Sequence, residues 1–454
     1  MLNHFRTVKL QLSLFLILLS LSCSYFVSAE ENTEKQVHEY AIDIFTTTES
    51  RAAAREWMGK RGKTDVVPVL IRSLRYFPED RHETLPLLKQ LTGQELGKEW
   101  FDWMVWLENY PTDEFKNNES YLLYFTTRID KQFEVFFYPG MERSIRLGEI
   151  VWGGVRKDGI PALNNPKLIE ANEAEYITDK ELVFGISING DTRAYPYRFM
   201  DWHEMFNDTI GGVPVSLAYC TLCGSGILYK TQIKEDEEAL IFGSSGFLYR
   251  SNKLMYDEKT HTLWNQFSGQ PVAGKLANSG IDLEVLPLVT TSWGEWKKQY
   301  PDTKVLSEDT GFHRDYTPGT AYGAYFFGDE LMFPASLQDE SLKKKDKVFG
   351  LRISGAKKAW PLSLFKKNKV INDRVGIIPI VLIGNAKTQT VRAYRSDGLE
   401  FKHSENGALI ADEQEWQLTE TELIGPDKQK LSRLPGHVAY WFAWSGYFPQ
   451  TLAE

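Results

Sequence analysis

Between Glu34 and about Tyr110 the apolar positions recur at intervals of three and four, as in Val66-Val67-Leu70-Ile71-Leu74 and again in Leu85-Leu87-Leu88-Leu91. That period marks helices with one buried stripe. Pro78 and the Thr92-Gly93 pair punctuate the run, so the pattern predicts four or five short helices in antiparallel pairs, similar to a small HEAT-like solenoid fragment. Trp100, Trp103 and Trp106 fall at helical spacing and are expected in that unit's core rather than in a binding stripe. After Pro111 the texture changes to short β-branched and aromatic stretches separated by Gly, Asn and Asp, which predicts strands. Leu182–Ile188 is expected as one strand, Asn189-Gly190 as a tight turn and Arg193-Ala194-Tyr195 as the return strand, because Asn-Gly readily adopts the positive φ such a turn needs. The fold class that follows is α+β, a short all-helical N-terminal domain followed by a mainly antiparallel β-rich domain.

The β-rich part is internally duplicated. Residues 183–219 align without gaps to residues 348–384, 165 positions on, with twelve of thirty-seven identical. Downstream, Tyr249-Arg250-Ser251 matches Tyr394-Arg395-Ser396, Trp264 matches Trp416, and Leu286-Pro287 with Trp293 and Trp296 matches Leu434-Pro435 with Trp441 and Trp444. Two copies of one unit, each with a sheet face to cover, are expected to pack as a pseudo-twofold pair. The division is then a leader over 1–29, a helical domain over 30–115, a first β-rich repeat over 116–335 and a second, degenerate one over 336–454. The duplication also serves as an internal control. Asn207-Asp208 recurs as Asn372-Asp373 and is assigned to the scaffold, whereas His203, Glu204 and Cys220 become Asn368, Lys369 and Asn385. Chemistry, if present, belongs to the first copy.

Arg6 and Lys9 precede an apolar run from Leu10 to Leu21, and Val27-Ser28-Ala29 is a small-x-small cleavage site before Glu30-Glu31. This is the pattern of a signal peptide, and the run is short for a membrane anchor. A periplasmic or extracellular location is expected, with no transmembrane anchor after cleavage; lipidation at Cys23 is the rival arrangement, disfavoured by Ser20 three residues upstream. Without residues 1–29 the formal charge moves from −9 to −11, since Arg6 and Lys9 leave and no acidic residue does. An acidic surface argues against nucleic-acid binding. The helical domain is the natural docking surface for a protein or envelope partner.

Only Cys220 and Cys223 then remain, too few for a disulfide scaffold, so core burial must stabilise the chain. They follow an expected strand, Val213–Tyr219, and precede Gly224-Ser225-Gly226 and the apolar Ile227-Leu228-Tyr229. No helix is evident to lower a thiol pKa in the thioredoxin manner. A Cys-x-x-Cys-Gly turn between strands resembles the knuckle of zinc ribbons and rubredoxins. A closed tetrahedral site needs two more ligands, and His203 and His261 are the leading candidates, with zinc or copper as the ion. Glu204 could ligate through oxygen or act as the general base on metal-bound water, and Met255 would be a soft extra ligand for copper. Two other functions fit the same residues: a thiol–disulfide oxidoreductase using the cysteine pair, and a non-catalytic envelope- or partner-binding module in which the thiols brace a loop. Whether the protein is an enzyme is left open. Gly243-Ser244-Ser245-Gly246 lacks nucleophile-elbow spacing, no phosphate loop or dinucleotide fingerprint occurs, and Lys343-Lys344-Lys345 lies among acidic residues as a solvated face.

Taken together, Asp201-Trp202-His203-Glu204, Asn207-Asp208, Tyr219-Cys220-Thr221-Leu222-Cys223-Gly224 and Leu248-Tyr249-Arg250-Ser251-Asn252 resemble the secreted bacterial and archaeal family catalogued as domain of unknown function 3179. The resemblance runs from about Gly159 to Pro449. Thr221 stands where that family often has Pro, a change that leaves both thiols in place. The resemblance implies export and a duplicated architecture, and it implies no reaction.

Overall fold

A computed structural model describes residues 36–110 and 118–453. The leader, its cleavage site and Cys23 lie outside the described residues. The described chain divides into two compact units, one reaching Met141 and including Arg146–Gly148, the other comprising Glu142–Ile145 and everything from Glu149 onward.

The first unit is helical. After a helix over residues 36–43 come α1 (Thr48–Arg61), α2 (Val67–Tyr76), α3 (Arg81–Thr92), α4 (Trp100–Asn109) and α5 (Asn118–Thr127). The sequence punctuation acts where expected: Pro78 opens a single 3-10 turn before α3, and Gly93 ends α3 in a left-handed conformation, φ 71°. Trp103 is buried, whereas Trp100 and Trp106 are half-buried, the latter stacked on Tyr110.

The second unit is β-rich and mainly antiparallel. Its first copy starts with β1 (Leu182–Ile188) and β2 (Asp191–Pro196), paired so that Ile188 opposes Asp191. Asn189 (φ 49°) and Gly190 (φ 84°) form the turn between them, both in the positive-φ region of a two-residue hairpin. Helix α6 (Tyr197–His203) leads to β3 (Met205–Ile210), β4 (Val213–Cys220) and β5 (Ser225–Lys230), three adjacent strands of one sheet. A second sheet carries β6 (Phe242–Tyr249) and β7 (Asn252–Asp257), again antiparallel neighbours. β8 (Val289–Ser292) returns to pair with β1, and α7 (Trp293–Gln299) follows it.

The second copy repeats this order. β9 (Lys347–Ile353), β10 (Ala356–Pro361), β11 (Val370–Val375), β12 (Ile378–Asn385) and β13 (Thr390–Arg395) each lie 165 positions after their counterparts. β14 (His437–Tyr440) returns to pair with β9 as β8 does with β1, and α8 (Trp441–Tyr447) follows it. The shared residues do scaffold work in both copies. Asn207 exchanges two hydrogen bonds with the backbone of Phe242, and Asn372 does the same with Phe401. Asp208 accepts from Arg193 and Tyr195, and Asp373 from Lys358 and Trp360. Trp296 covers Gly185 and Trp444 covers Gly350 so closely that a Cβ at either glycine would sit 2.4 and 2.0 Å from the indole. The match of Tyr249-Arg250-Ser251 to Tyr394-Arg395-Ser396 does not survive: Tyr394 lies on β13, whose counterpart is β5, so Tyr229 occupies the equivalent place. Tyr249 belongs instead to the sheet inserted after β5.

Candidate functional site

β4 and β5 form a hairpin in which Cys220 opposes Ser225. The connecting turn carries Thr221, Leu222, Cys223 and Gly224, closed by Cys223 N–H to the Cys220 carbonyl at 3.1 Å. The Cys-x-x-Cys-Gly segment is thus a turn between strands. Gly224 is required there: its φ is 59°, and a Cβ would meet the Tyr440 ring at 3.0 Å. The Cys223 carbonyl accepts from Tyr440 N–H at 2.8 Å, so strand β14 of the second copy clamps the turn of the first.

Both thiols are free and buried, 1% and 0% exposed, with sulfurs 2.9 Å apart. The residues Arg250 (φ 51°) and Ser251 (φ 59°) turn β6 into β7, and this brings the Ser251 carbonyl to 3.5 Å and Asn252 Nδ2 to 3.3 Å from Cys223 Sγ. Gln266 holds Asn252 in place, accepting from its amide at 2.8 Å while donating to the carbonyls of Ala218 and Ser225. Burial, then the Cys220 thiol, push the Cys223 pKa well above its usual value, so Cys223 is a protonated thiol.

Beside the turn stands Glu204, in the left-handed conformation (φ 56°) that ends α6. Its carboxylate accepts from Lys253 Nζ at 2.9 Å, Thr221 Oγ1 at 3.0 Å and the Tyr322 hydroxyl at 3.3 Å. Glu204 and Lys253 are both buried, a paired charge inside the fold. Cys220, Glu204, Thr221, Lys253 and Tyr322 line one chamber of about 60 Å³, with room for a few water-sized groups. Cys223 is fully buried and is not among the residues lining that chamber.

The histidines go elsewhere. His203 is buried with both ring nitrogens engaged, Nδ1 by the Pro161 carbonyl at 2.9 Å and Nε2 by the Tyr316 hydroxyl at 2.6 Å. His261 stacks on Tyr256 in the turn after β7, at the opposite end of a six-residue strand from Asn252, roughly 16 Å along it. Met255 is buried in the hydrophobic core with Met205 and Trp264. Cys220, Cys223 and Glu204 therefore come together without either imidazole, and among the described residues no group of three or more His, Cys, Asp or Glu side chains has the geometry to hold a metal ion. Lys253, Gln266 and Tyr322 were not singled out from the sequence, and Asn252 only as the end of a family-like motif. Asn252 closes a quoted motif and Lys253 follows it directly, which was a usable signal; Tyr322, 118 residues from Glu204, gave none.

A family model described as "Protein of unknown function (DUF3179)" matches residues 157–451. No curated protein and no solved structure matches the chain.

Proposed function

We propose, for a chain that belongs to the DUF3179 family of proteins of unknown function, that it is an exported thiol–disulfide oxidoreductase acting on a small or extended disulfide. The observation that carries this is a pair of free thiols 2.9 Å apart, of which Cys220 lines a chamber and Cys223 does not. Two thiolates on one tetrahedral ion, each about 2.3 Å from it, would stand about 3.8 Å apart; a disulfide needs about 2.05 Å. The sulfurs lie between those values, and Cys223 Sγ accepts a hydrogen bond from Asn252 and donates one to the Ser251 carbonyl.

In the proposed reaction Cys220 attacks one sulfur of the substrate, releasing the first thiol and forming a mixed disulfide. Cys223 then attacks the Cys220 sulfur, breaking its bond to the substrate sulfur and passing its own proton to that departing sulfur, which leaves as the second thiol and yields a Cys220–Cys223 disulfide. Glu204, held by Lys253 and two hydroxyls, accepts the proton that leaves Cys220. Export is supported by the leader pattern, and the pair is returned to the dithiol by the reverse exchange with a second, dithiol-bearing partner, which gives up its two thiol protons and electrons and leaves as its own disulfide.

The experiment is to expose the reduced protein and two variants to oxidised glutathione and read intact mass. Cys223→Ser is expected to accumulate a glutathione adduct at Cys220, the wild type to pass through to an internal disulfide, and Cys220→Ser to remain unmodified. Absence of any adduct in Cys223→Ser under conditions where denatured protein reacts would sink the proposal. So would a stoichiometric zinc or copper content in purified protein that is lost in Cys220→Ser, which would restore the metal centre expected from the cysteine spacing.

A further inference from the structure

On the other side of the Gly224 turn lies a larger cavity, about 370 Å³, built jointly by the two copies. The first contributes Asp201, Tyr197 and Tyr219, the second Lys347, Gln389 and Tyr440. Asp201 and Lys347 are the chemically unusual pair. Asp201, in the last turn of α6, is buried, and its Oδ1 has no hydrogen-bond partner. Lys347, first residue of β9, donates to Gln389 Oε1 at 2.6 Å. Among the described residues no ion pair joins the two, so opposite charges face one cavity without touching.

Duplication shows that this is not inherited scaffold. The position equivalent to Asp201 is Lys366, which is exposed, and that equivalent to Lys347 is Leu182. The acid exists only in the first copy and the base only in the second, so the pairing arises where the copies meet. The physical cost is visible in both groups. Burial pushes the Asp201 carboxyl up to about 7, with the Tyr219 hydroxyl and Lys347 opposing and Glu204 adding to the rise. Burial likewise brings Lys347 down to about 8, with Asp201 opposing. Each group lacks a full counter-charge, and buried charges without partners are expensive.

We infer that this cavity is a second binding site, for a small zwitterion of the amino-acid class whose ammonium meets Asp201 and whose carboxylate meets Lys347. A ligand of one charge would satisfy one group and leave the other stranded; a molecule carrying both charges on adjacent carbons satisfies both. The aromatic walls, Tyr197, Tyr219 and Tyr440 with Phe326 at the mouth, suit an apolar or aromatic side chain. The site stands apart from the thiol chemistry and does not depend on it.

Calorimetric titration of the purified protein with L-phenylalanine, 3-phenylpropanoate and phenethylamine tests this. L-Phenylalanine is expected to bind with a Kd at or below about 1 mM, and the two singly charged analogues at least about tenfold more weakly. Asp201→Asn and Lys347→Gln should each weaken L-phenylalanine at least about tenfold, while Lys347→Arg, which keeps the charge, and Cys220→Ser retain it; thermal melts establish that each variant is folded. No heat from L-phenylalanine up to about 10 mM, equal binding of the singly charged analogues, or undiminished binding by folded Asp201→Asn would overturn the assignment.

Discussion

Glu204 and Lys253 form the costliest pairing near the thiols. Their mutual attraction offsets the loss of hydration only while both are present, and removing one leaves the other charged and buried. Glu204→Gln and Lys253→Met are each expected to destabilise the protein by about 3 kcal/mol in chemical denaturation, and the double variant by clearly less than the sum. Simple additivity would mean that the two act independently. Asp201 gives a pH-dependent counterpart. Its folded-state pKa, about 7, lies above the ordinary value of 3.8, so the folded state holds its proton more tightly than the unfolded one, and stability is lost as pH rises from about 4 through 7. Asp201→Asn removes that loss. Its melting temperature relative to wild type is expected to be higher at pH 8 than at pH 4, and a difference that does not change with pH would contradict the assignment. Lys347 behaves in the opposite sense: its value, depressed from 10.5 to about 8, costs stability as pH falls across that window and adds no further change well below it, so the variant-minus-wild-type difference between pH 4 and 8 reports mainly on Asp201.

Among the elements, the β4–β5 hairpin turn is the most constrained. Gly224→Ala would force an alanine into positive φ and against the Tyr440 ring, with an expected loss of about 2 kcal/mol and faster alkylation of the buried Cys220 by iodoacetamide under native conditions, since a strained turn opens more often. This turn was legible in the sequence, because strand, Cys-x-x-Cys-Gly and strand follow one another without a helical period, and the Asn189-Gly190 hairpin was legible for the same kind of local reason. What surrounds the thiols was not. Which histidine approaches a sulfur depends on strand length and sheet order. His203 stands beside Glu204 in sequence, yet its ring bonds to Pro161 and Tyr316. His261 is carried off along β7. A short Tyr-basic-Ser string also proved a poor guide to equivalence: it recurs on β13 and after β6 by composition, while the hydrogen bonds of Asn207 and Asn372 identify the true counterparts.

For the whole molecule, the two copies divide their labour. If Asn207 and Asn372 are scaffold, Asn207→Ala and Asn372→Ala should cost similar stability, about 1–3 kcal/mol each in urea unfolding, and neither should change the redox behaviour of Cys220 once the protein is folded. A selective effect of Asn207→Ala on thiol reactivity would place it in the site instead. The duplicated order of strands could be read from the sequence because the gapless stretch preserves register, and the paired tryptophans because Leu-Pro with two tryptophans three apart recurs after it at a different offset. The Asp201–Lys347 cavity could not, since it uses positions where the copies differ and depends on how they meet.

The clamp from Tyr440 to Cys223 has a consequence for the protein's engineering. A polypeptide ending before β14 would leave the cysteine turn without its ceiling, so the half that carries the sulfurs cannot be expected to work as an independent fragment. The half that carries Asn385 in place of Cys220 is indispensable as a buttress, so the chain cannot be cut in two without dismantling the turn.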